Sequence, residues 1–145
     1  MKKIIVGILV VFVLIQFIRP EQNVSGEENN SISSMVDVPE DVKEIIKTSC
    51  ADCHSNKTVY PWYSEIAPVS WYLAQHVNEG KEHLNFSEWA TYNKDQKNHI
   101  IKDLKEELED MEMPLKSYLI LHKEAELSKT QYNTLLSWVK SIPLE

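Results

Sequence analysis

The chain has 145 residues, a hydrophobic fraction of 43% and a net charge of −7 at neutral pH. This length is enough for one compact domain, and an acidic surface without a basic stripe repels phosphate, which argues against a nucleic-acid partner. Gly occurs three times while Lys, Glu and Leu are abundant, so the composition favours helix over sheet and predicts an all-α fold.

Residues 1–20 have the pattern of an export signal. A basic start, Lys2-Lys3, precedes an apolar run at residues 4–18. No small-x-small cleavage site follows promptly, and the nearest candidate is Ser25-Gly26, so an uncleaved transmembrane signal anchor is preferred over a cleaved signal peptide. The run would measure about 22 Å as a helix against a hydrocarbon core of about 30 Å. With either outcome the domain is expected outside the cytoplasm, in the periplasm or cell envelope, and the anchor would hold it at the inner membrane.

Residues 21–38 are rich in Gln, Asn, Ser and Glu, which bury too little apolar surface to order the chain, so a flexible linker is predicted. The domain is then expected at residues 39–145. Apolar residues recur there with helical spacing, and no segment alternates with period two. Helices are predicted at residues 39–50, 69–79, 95–111 and 128–142. Gly80 predicts the end of the second, Met111 is placed on the inner face of the third, and Ser128 with Gln131 forms a capping box for the last.

The motif that carries chemistry is Cys50-Ala51-Asp52-Cys53-His54, which contains the only two cysteines of the chain. Two thiols three positions apart at the end of a helix can reach the two vinyl groups on one edge of a porphyrin, and the next residue then projects its imidazole under the iron. The motif therefore predicts one covalent haem c per chain, with Cys50 and Cys53 as attachment residues and His54 as an iron ligand.

Other uses of two cysteines fit the sequence less well. A structural zinc site needs four ligands, and the remaining histidines are scattered. A thioredoxin-like dithiol needs a strand before the motif, where a helix is predicted here. A plain disulfide would leave His54 without a role.

Beyond the motif, residues from about 45 to 138 resemble the haem-binding domain family of bacterial exported proteins, a relative of cytochrome c. The resemblance is carried by residues 50–56, Tyr60-Pro61-Trp62-Tyr63-Ser64, Pro68 with Ser70-Trp71, His76-Val77 with Gly80, Leu84-Asn85-Phe86-Ser87 with Trp89, Met113-Pro114, and His122 with Ala125 and Leu127-Ser128. It implies haem binding and a small cytochrome c-like helical domain around the haem, without implying a particular redox partner. One departure is Leu115, where such proteins often continue with a second Pro after Met-Pro.

The second axial ligand of the iron is predicted to be Met113. It follows a helix and precedes a Pro, and the family resemblance supports it; Met sulfur together with His raises a haem potential. A space-filling core methionine is the alternative. His76 and His122 are rival ligands, because imidazole also binds iron well.

Aromatic residues follow the motif closely. Tyr60, Trp62, Tyr63 and Trp71 are expected either to wall the macrocycle, with their polar atoms near the haem propionates, or to be plain core residues. No catalytic acid–base pair is evident, so we expect an electron carrier rather than an enzyme. The alternative is a haem-based sensor or small haem enzyme with an open sixth iron position.

Overall fold

In a computed structural model that describes residues 1–144, the chain is all-helical, as predicted. Within that range there are seven α-helices, four 3₁₀ turns and no strand. The α-helices are α1 (Lys2–Ile15), α2 (Glu40–Ser49), α3 (Ala51–His54), α4 (Val69–His83), α5 (Lys94–Glu109), α6 (Lys116–Leu119) and α7 (Lys129–Ser141). The 3₁₀ turns are Ile32–Ser34, Trp62–Glu65, Phe86–Thr91 and Lys123–Ala125.

The apolar core lies where α5 packs against α7, which in turn contacts α2. Its buried side chains from these three helices are Val42, Ile45, Ile100, Ile101, Leu108, Leu135, Trp138 and Val139. Each such side chain stabilises the fold by about 1.5–3 kcal/mol when it is removed from water. The short helix α3 packs mainly on α4. The junction between α2 and α3 therefore connects the core of α2, α5 and α7 to the pair α3 and α4.

Local polar signals set the helix starts. At α7 the predicted capping box is confirmed, because Ser128 Oγ accepts from the Gln131 amide and the Gln131 side chain accepts from the Ser128 amide. A second capping box, Asn93 with Gln96, starts α5 one residue earlier than the predicted Asp95. Both boxes satisfy amides that have no partner inside the helix.

Two predicted helix ends are wrong. Helix α4 does not stop at Gly80 and continues to His83. Helix α5 ends at Glu109, and Met111 lies beyond it with a φ of 55° and a 51% exposed side chain. Met111 therefore does not belong to the inner face of α5, because the helix ends two residues before it, at Glu109.

The predicted helix at the N-terminus exists as α1, which has 14 residues and no buried side chain. Within residues 1–144, no helix combines the length and the apolarity that a membrane crossing requires. The structure thus does not support the predicted transmembrane anchor at residues 4–18, because a helix of 14 residues is shorter than the roughly 20 residues that a bilayer crossing needs.

Residues 21–38, predicted as a flexible linker, contact the domain at several points. Ile32 and Val38 are buried in the core cluster, at 4% and 5% exposure. The Asn30 carbonyl accepts a hydrogen bond from the Ala90 amide at 2.9 Å. The domain boundaries and the flexibility of this segment remain predictions. The composition of the segment did not predict its contacts with the domain.

Candidate haem site

The motif occupies the junction between α2 and α3. Cys50 ends α2 and precedes α3, with φ −126° and ψ −36°, and its carbonyl accepts from the amides of Cys53 at 3.2 Å and His54 at 3.0 Å. These hydrogen bonds place both thiols and the imidazole on one short helical turn. Both cysteines are free thiols, so neither is used by a disulfide.

Burial controls the ionisation of the two thiols. It raises the pKa of Cys50 to about 12, with a smaller contribution from the charge of Cys53. Burial likewise raises the pKa of Cys53 to about 11, and the neighbouring Asp52 carboxylate adds to the effect. Redox-active dithiols have a lowered pKa, so these protonated thiols do not have the surroundings of a thioredoxin-like centre.

His54 is arranged as metal-binding histidines usually are. Its Nδ1 lies 3.0 Å from the Leu84 carbonyl oxygen, and because a carbonyl oxygen only accepts, Nδ1 carries the proton. Burial lowers the pKa of His54 and outweighs the hydrogen bonds to the Leu84 and Gly80 carbonyls, which raise it. The neutral ring therefore has its lone pair on Nε2, and an Nδ1–H bound to a carbonyl is the usual support of a ligating histidine. This donor set fits a covalently attached haem with an imidazole ligand.

Gly80 lets α4 approach the motif closely. A Cβ atom built on Gly80 would lie 2.7 Å from the Cys53 carbonyl oxygen and 3.1 Å from the Cys53 Cβ. The residue thus serves a contact between helices rather than the helix end that its position predicted. Its place in the resemblance was the one sequence signal that associated it with the motif.

Asn56, two residues after His54, connects the motif loop to the turn Phe86–Thr91. Its amide donates to Ser87 Oγ at 3.1 Å, and its Oδ1 accepts from Asn85 Nδ2 at 2.8 Å. Its Nδ2 donates to Glu88 Oε1 at 3.0 Å. Asn56 and Asn85 are 7% and 2% exposed, so these hydrogen bonds are largely shielded from water. Sequence reasoning assigned no role to either side chain.

Asp52 lies between the two cysteines, and each of its carboxylate oxygens accepts a hydrogen bond. Oδ1 accepts from the Val59 amide at 3.0 Å, and Oδ2 accepts from the Tyr118 hydroxyl at 2.7 Å. Burial raises the pKa of Tyr118, and the hydrogen bond to Asp52 raises it further. Tyr118 was not among the predicted site residues, although α6 places it directly on the motif.

The two rival histidine ligands have different surroundings. The His122 ring stacks on Tyr118 with centroids 4.1 Å apart, its Nε2 lies 2.6 Å from the Tyr63 hydroxyl, and its Nδ1 lies 3.3 Å from Glu124 Oε1. The Nδ1 of His76 lies 3.0 Å from the carbonyl of Tyr72, one turn earlier, and the two rings are 4.0 Å apart. A ligand role for His122 would require it to release a partner.

Met113 lies half-buried in the loop after α5, and its carbonyl accepts from the Tyr132 hydroxyl at 2.9 Å. Burial raises the pKa of Tyr132, and the charge of Cys50 adds a smaller increase. The Met113 backbone is tied to α7, which contacts α2, the helix that precedes Cys50.

The aromatic residues after the motif have varied surroundings. Trp62 is 77% exposed, while Trp71 Nε1 donates to the Ile18 carbonyl at 2.7 Å and the Tyr60 hydroxyl accepts from the Asn23 amide at 2.9 Å. Tyr60 and Trp71 thus bind the N-terminal segment, a role that the sequence did not indicate. Their predicted contact with a macrocycle remains a prediction.

A cavity of about 700 Å³ lies away from the motif, between α2, α5 and α7. Trp89, Lys97, Ile101 and Trp138 are among its lining residues, which include no cysteine and no histidine. It provides none of the iron ligands that the motif supplies.

Comparison with known families agrees with the chemistry of the motif. The family described as haem-binding domain matches residues 10–141, nearly the whole chain. The search of curated proteins gave no match, and neither did the search of solved structures. Since the match covers far more than half of the sequence, the chain belongs to the haem-binding domain family.

Proposed function

We propose that this protein is a single-haem c-type cytochrome that carries electrons outside the cytoplasm. The observation that carries the proposal is the arrangement of two free thiols and an Nδ1-anchored imidazole on one turn. Membership of the haem-binding domain family supports the haem itself.

In this function the chain would hold the haem through thioether bonds to Cys50 and Cys53, and His54 Nε2 would bind its iron. The bound haem would supply an iron that changes oxidation state. The chain contributes the fixed backbone of α3, the protonated Nδ1 of His54 and the close contact with Gly80. The net charge of −7 favours a redox partner with a basic surface, because electrostatic attraction steers such a partner toward this acidic protein.

Met113 would be the second iron ligand in this proposal. Its support is the half-buried loop in which it lies, whose backbone carbonyl is bound by Tyr132 of α7, together with the partners that already occupy both ring nitrogens of His122. Methionine sulfur stabilises ferrous haem relative to imidazole, which suits an electron carrier.

Export is proposed from the basic start and the apolar residues of α1, since c-type haem is attached outside the cytoplasm. Cell fractionation tests it, with a cytoplasmic marker as the control. We expect the haem-bearing chain in the periplasmic or envelope fraction, and recovery of it with the cytoplasmic marker would contradict export.

Acid–acetone extraction of the denatured, exported protein tests covalent attachment. We expect the pigment to stay with the polypeptide, and to be lost from a variant with both Cys50→Ala and Cys53→Ala. Pigment that partitions into the solvent from the parent protein would overturn the c-type assignment.

Spectroscopy tests the sixth position and separates a carrier from a sensor. The oxidised parent should show the weak sulfur-to-iron charge-transfer band, and its reduced form should not bind carbon monoxide. Met113→Ala should remove the band and admit carbon monoxide, whereas the exposed control Met111→Ala should not. A parent that binds carbon monoxide without the band would favour the sensor or enzyme alternative. A parent without the band whose Soret spectrum changes on His76→Ala or His122→Ala would favour a bis-histidine iron.

A further inference from the structure

The N-terminal strap, which we define as residues 16–32, lies along the domain and bonds to it repeatedly. At its start, the Gln16 side chain accepts from the Ala67 amide at 2.9 Å and donates to the Ala67 carbonyl at 3.1 Å. At its end, Ile32 is buried among core residues at 4% exposure. Between these points the strap passes the loop that follows His54.

Asn23 is the central residue of the strap. Its Nδ2 donates to the Ser55 carbonyl at 2.7 Å and to Thr58 Oγ1 at 2.9 Å. Its amide donates to the Tyr60 hydroxyl at 2.9 Å, and its carbonyl accepts from the Thr58 amide at 2.9 Å. Its Oδ1 accepts from Lys81 Nζ at 2.8 Å. Every hydrogen-bonding group of this residue is thus bound to the motif loop or to α4.

Backbone contacts continue the same attachment. The amide of Gly26 donates to the Asn56 carbonyl at 2.9 Å, and Asn56 Nδ2 lies 3.4 Å from the Glu27 carbonyl. Gly26 has a φ of 64°, a conformation that favours glycine, and this turn directs its amide at the loop. Four residues of the loop therefore form hydrogen bonds with the strap, namely Ser55, Asn56, Thr58 and Tyr60.

The loop from Ser55 to Tyr60 begins directly after His54 and has no helix of its own. Ser55 continues the chain from the proposed iron ligand, so a bond to its carbonyl restrains the end of α3. Lys81 follows Gly80, the residue that contacts Cys53, so the bond from Asn23 to Lys81 also ties the strap to α4. Asn23 is thus bound both to the loop that follows His54 and to α4, the helix that packs on the motif.

From this geometry we infer that Asn23 is a positioning residue for His54, and that the haem-binding unit begins in the strap rather than at Pro39. The inference rests on the proposed function, because it assigns the strap a role in setting the haem ligand. It requires Asn23 to be present in the mature chain, so cleavage between Ser25 and Gly26 would remove part of the unit.

The test compares Asn23→Ala with the matched control Asn29→Ala in the full-length, exported protein. Asn29 lies in the same strap, is exposed, and has no side-chain hydrogen bond to any of residues 1–144. The midpoint potential and the Soret spectrum report on the iron ligand, and covalent haem per chain reports on attachment. Asn23→Ala should shift the potential and the Soret band and lower the haem content, while Asn29→Ala should match the parent.

Limited proteolysis within residues 55–60 gives a second measurement. Asn23→Ala should raise the cleavage rate roughly tenfold, as expected when a few partly buried hydrogen bonds are lost. Asn23→Asp retains the acceptor for Lys81 but loses both Nδ2 donors, so its potential should move toward that of the Ala variant.

If Asn23→Ala does not accumulate, Tyr60→Phe and Lys81→Gln each remove one of its bonds and should shift the potential less, in the same direction. If the parent carries haem and all of these variants have the parent's potential, the inference is overturned and the proposed function is left intact. A mature N-terminus at Gly26 in the haem-loaded protein would also overturn the inference. A parent without covalent haem would overturn the proposed function, and the inference with it.

Discussion

Around Trp138 the chain is held by apolar side chains from α2, α5 and α7, whereas around Asn56 it is held by hydrogen bonds between polar side chains and backbone atoms. Apolar burial has little directional preference and mainly determines how stable the domain is. Hydrogen bonds depend on distance and angle, so they determine where a particular atom lies. The core therefore provides stability, and the polar network around Asn56 holds the loop that follows His54.

The largest effect that distinguishes the two regions is expected from Trp138→Ala. Trp138 is 5% exposed and belongs to the core cluster, so truncation should lower the free energy of unfolding by about 3–5 kcal/mol. Urea denaturation measures it. The control is Trp62→Ala, at a side chain that is 77% exposed, which should change stability by less than about 0.5 kcal/mol. Equal losses in the two variants would contradict the placement of the core.

A steric change at the motif should have the next largest effect. Gly80→Ala would place a Cβ 2.7 Å from a backbone oxygen of Cys53, and overpacking of this kind costs about 1–3 kcal/mol. Alanine is otherwise the better helix former by about 1 kcal/mol, so a net loss of stability would identify the contact. Covalent haem content and urea denaturation measure the two consequences.

Gly7→Ala is the matched control, since nothing lies within 4 Å of a Cβ at that position. An unchanged haem content in Gly80→Ala would mean that α3 and α4 can separate without disturbing the motif.

Removal of the Asn85 side chain should act mainly on the polar network around Asn56. Asn85→Ala would leave Asn56 Oδ1 and the Ser87 amide without their partner in a buried site, at a cost of about 1–3 kcal/mol. The haem potential should shift as well, because the loop after His54 loses its support. Asn133→Ala is the control and should leave both measurements unchanged, because this exposed side chain of α7 has no hydrogen bond to another described residue. A stability loss with an unaltered potential would place Asn85 with the core instead.

The smallest effect concerns alkaline pH. Burial, followed by the hydrogen bond to Asp52, raises the pKa of Tyr118 above its ordinary value of 10.0. The unfolded chain therefore releases this proton first, so the contribution of Tyr118 is complete below pH 10 and declines as the pH rises further. Urea midpoints from pH 8 to 11 should fall more steeply for the parent than for Tyr118→Phe. Parallel pH profiles would show that Tyr118 ionises equally easily in both states.

The sequence by itself determined the features that depend on neighbours along the chain. The capping box of Ser128 with Gln131, the amphipathic patterns of α2 and α7, and the placement of the cysteine motif at the end of α2 all follow from residues within a few positions of one another. The all-helical fold class follows from the same local preferences. These patterns also led to the haem-binding domain family, which the comparison shows.

Only the tertiary structure decided which distant residues meet at the motif. Gly80 is compatible both with a helix end and with a close contact between helices, and its position beside Cys53 selects the second. Asn23 lies 32 residues from Ser55 in the sequence, in a segment whose composition predicts disorder. Local propensity carries no information about partners at that separation, because such hydrogen bonds exist only once the core has brought the segments together.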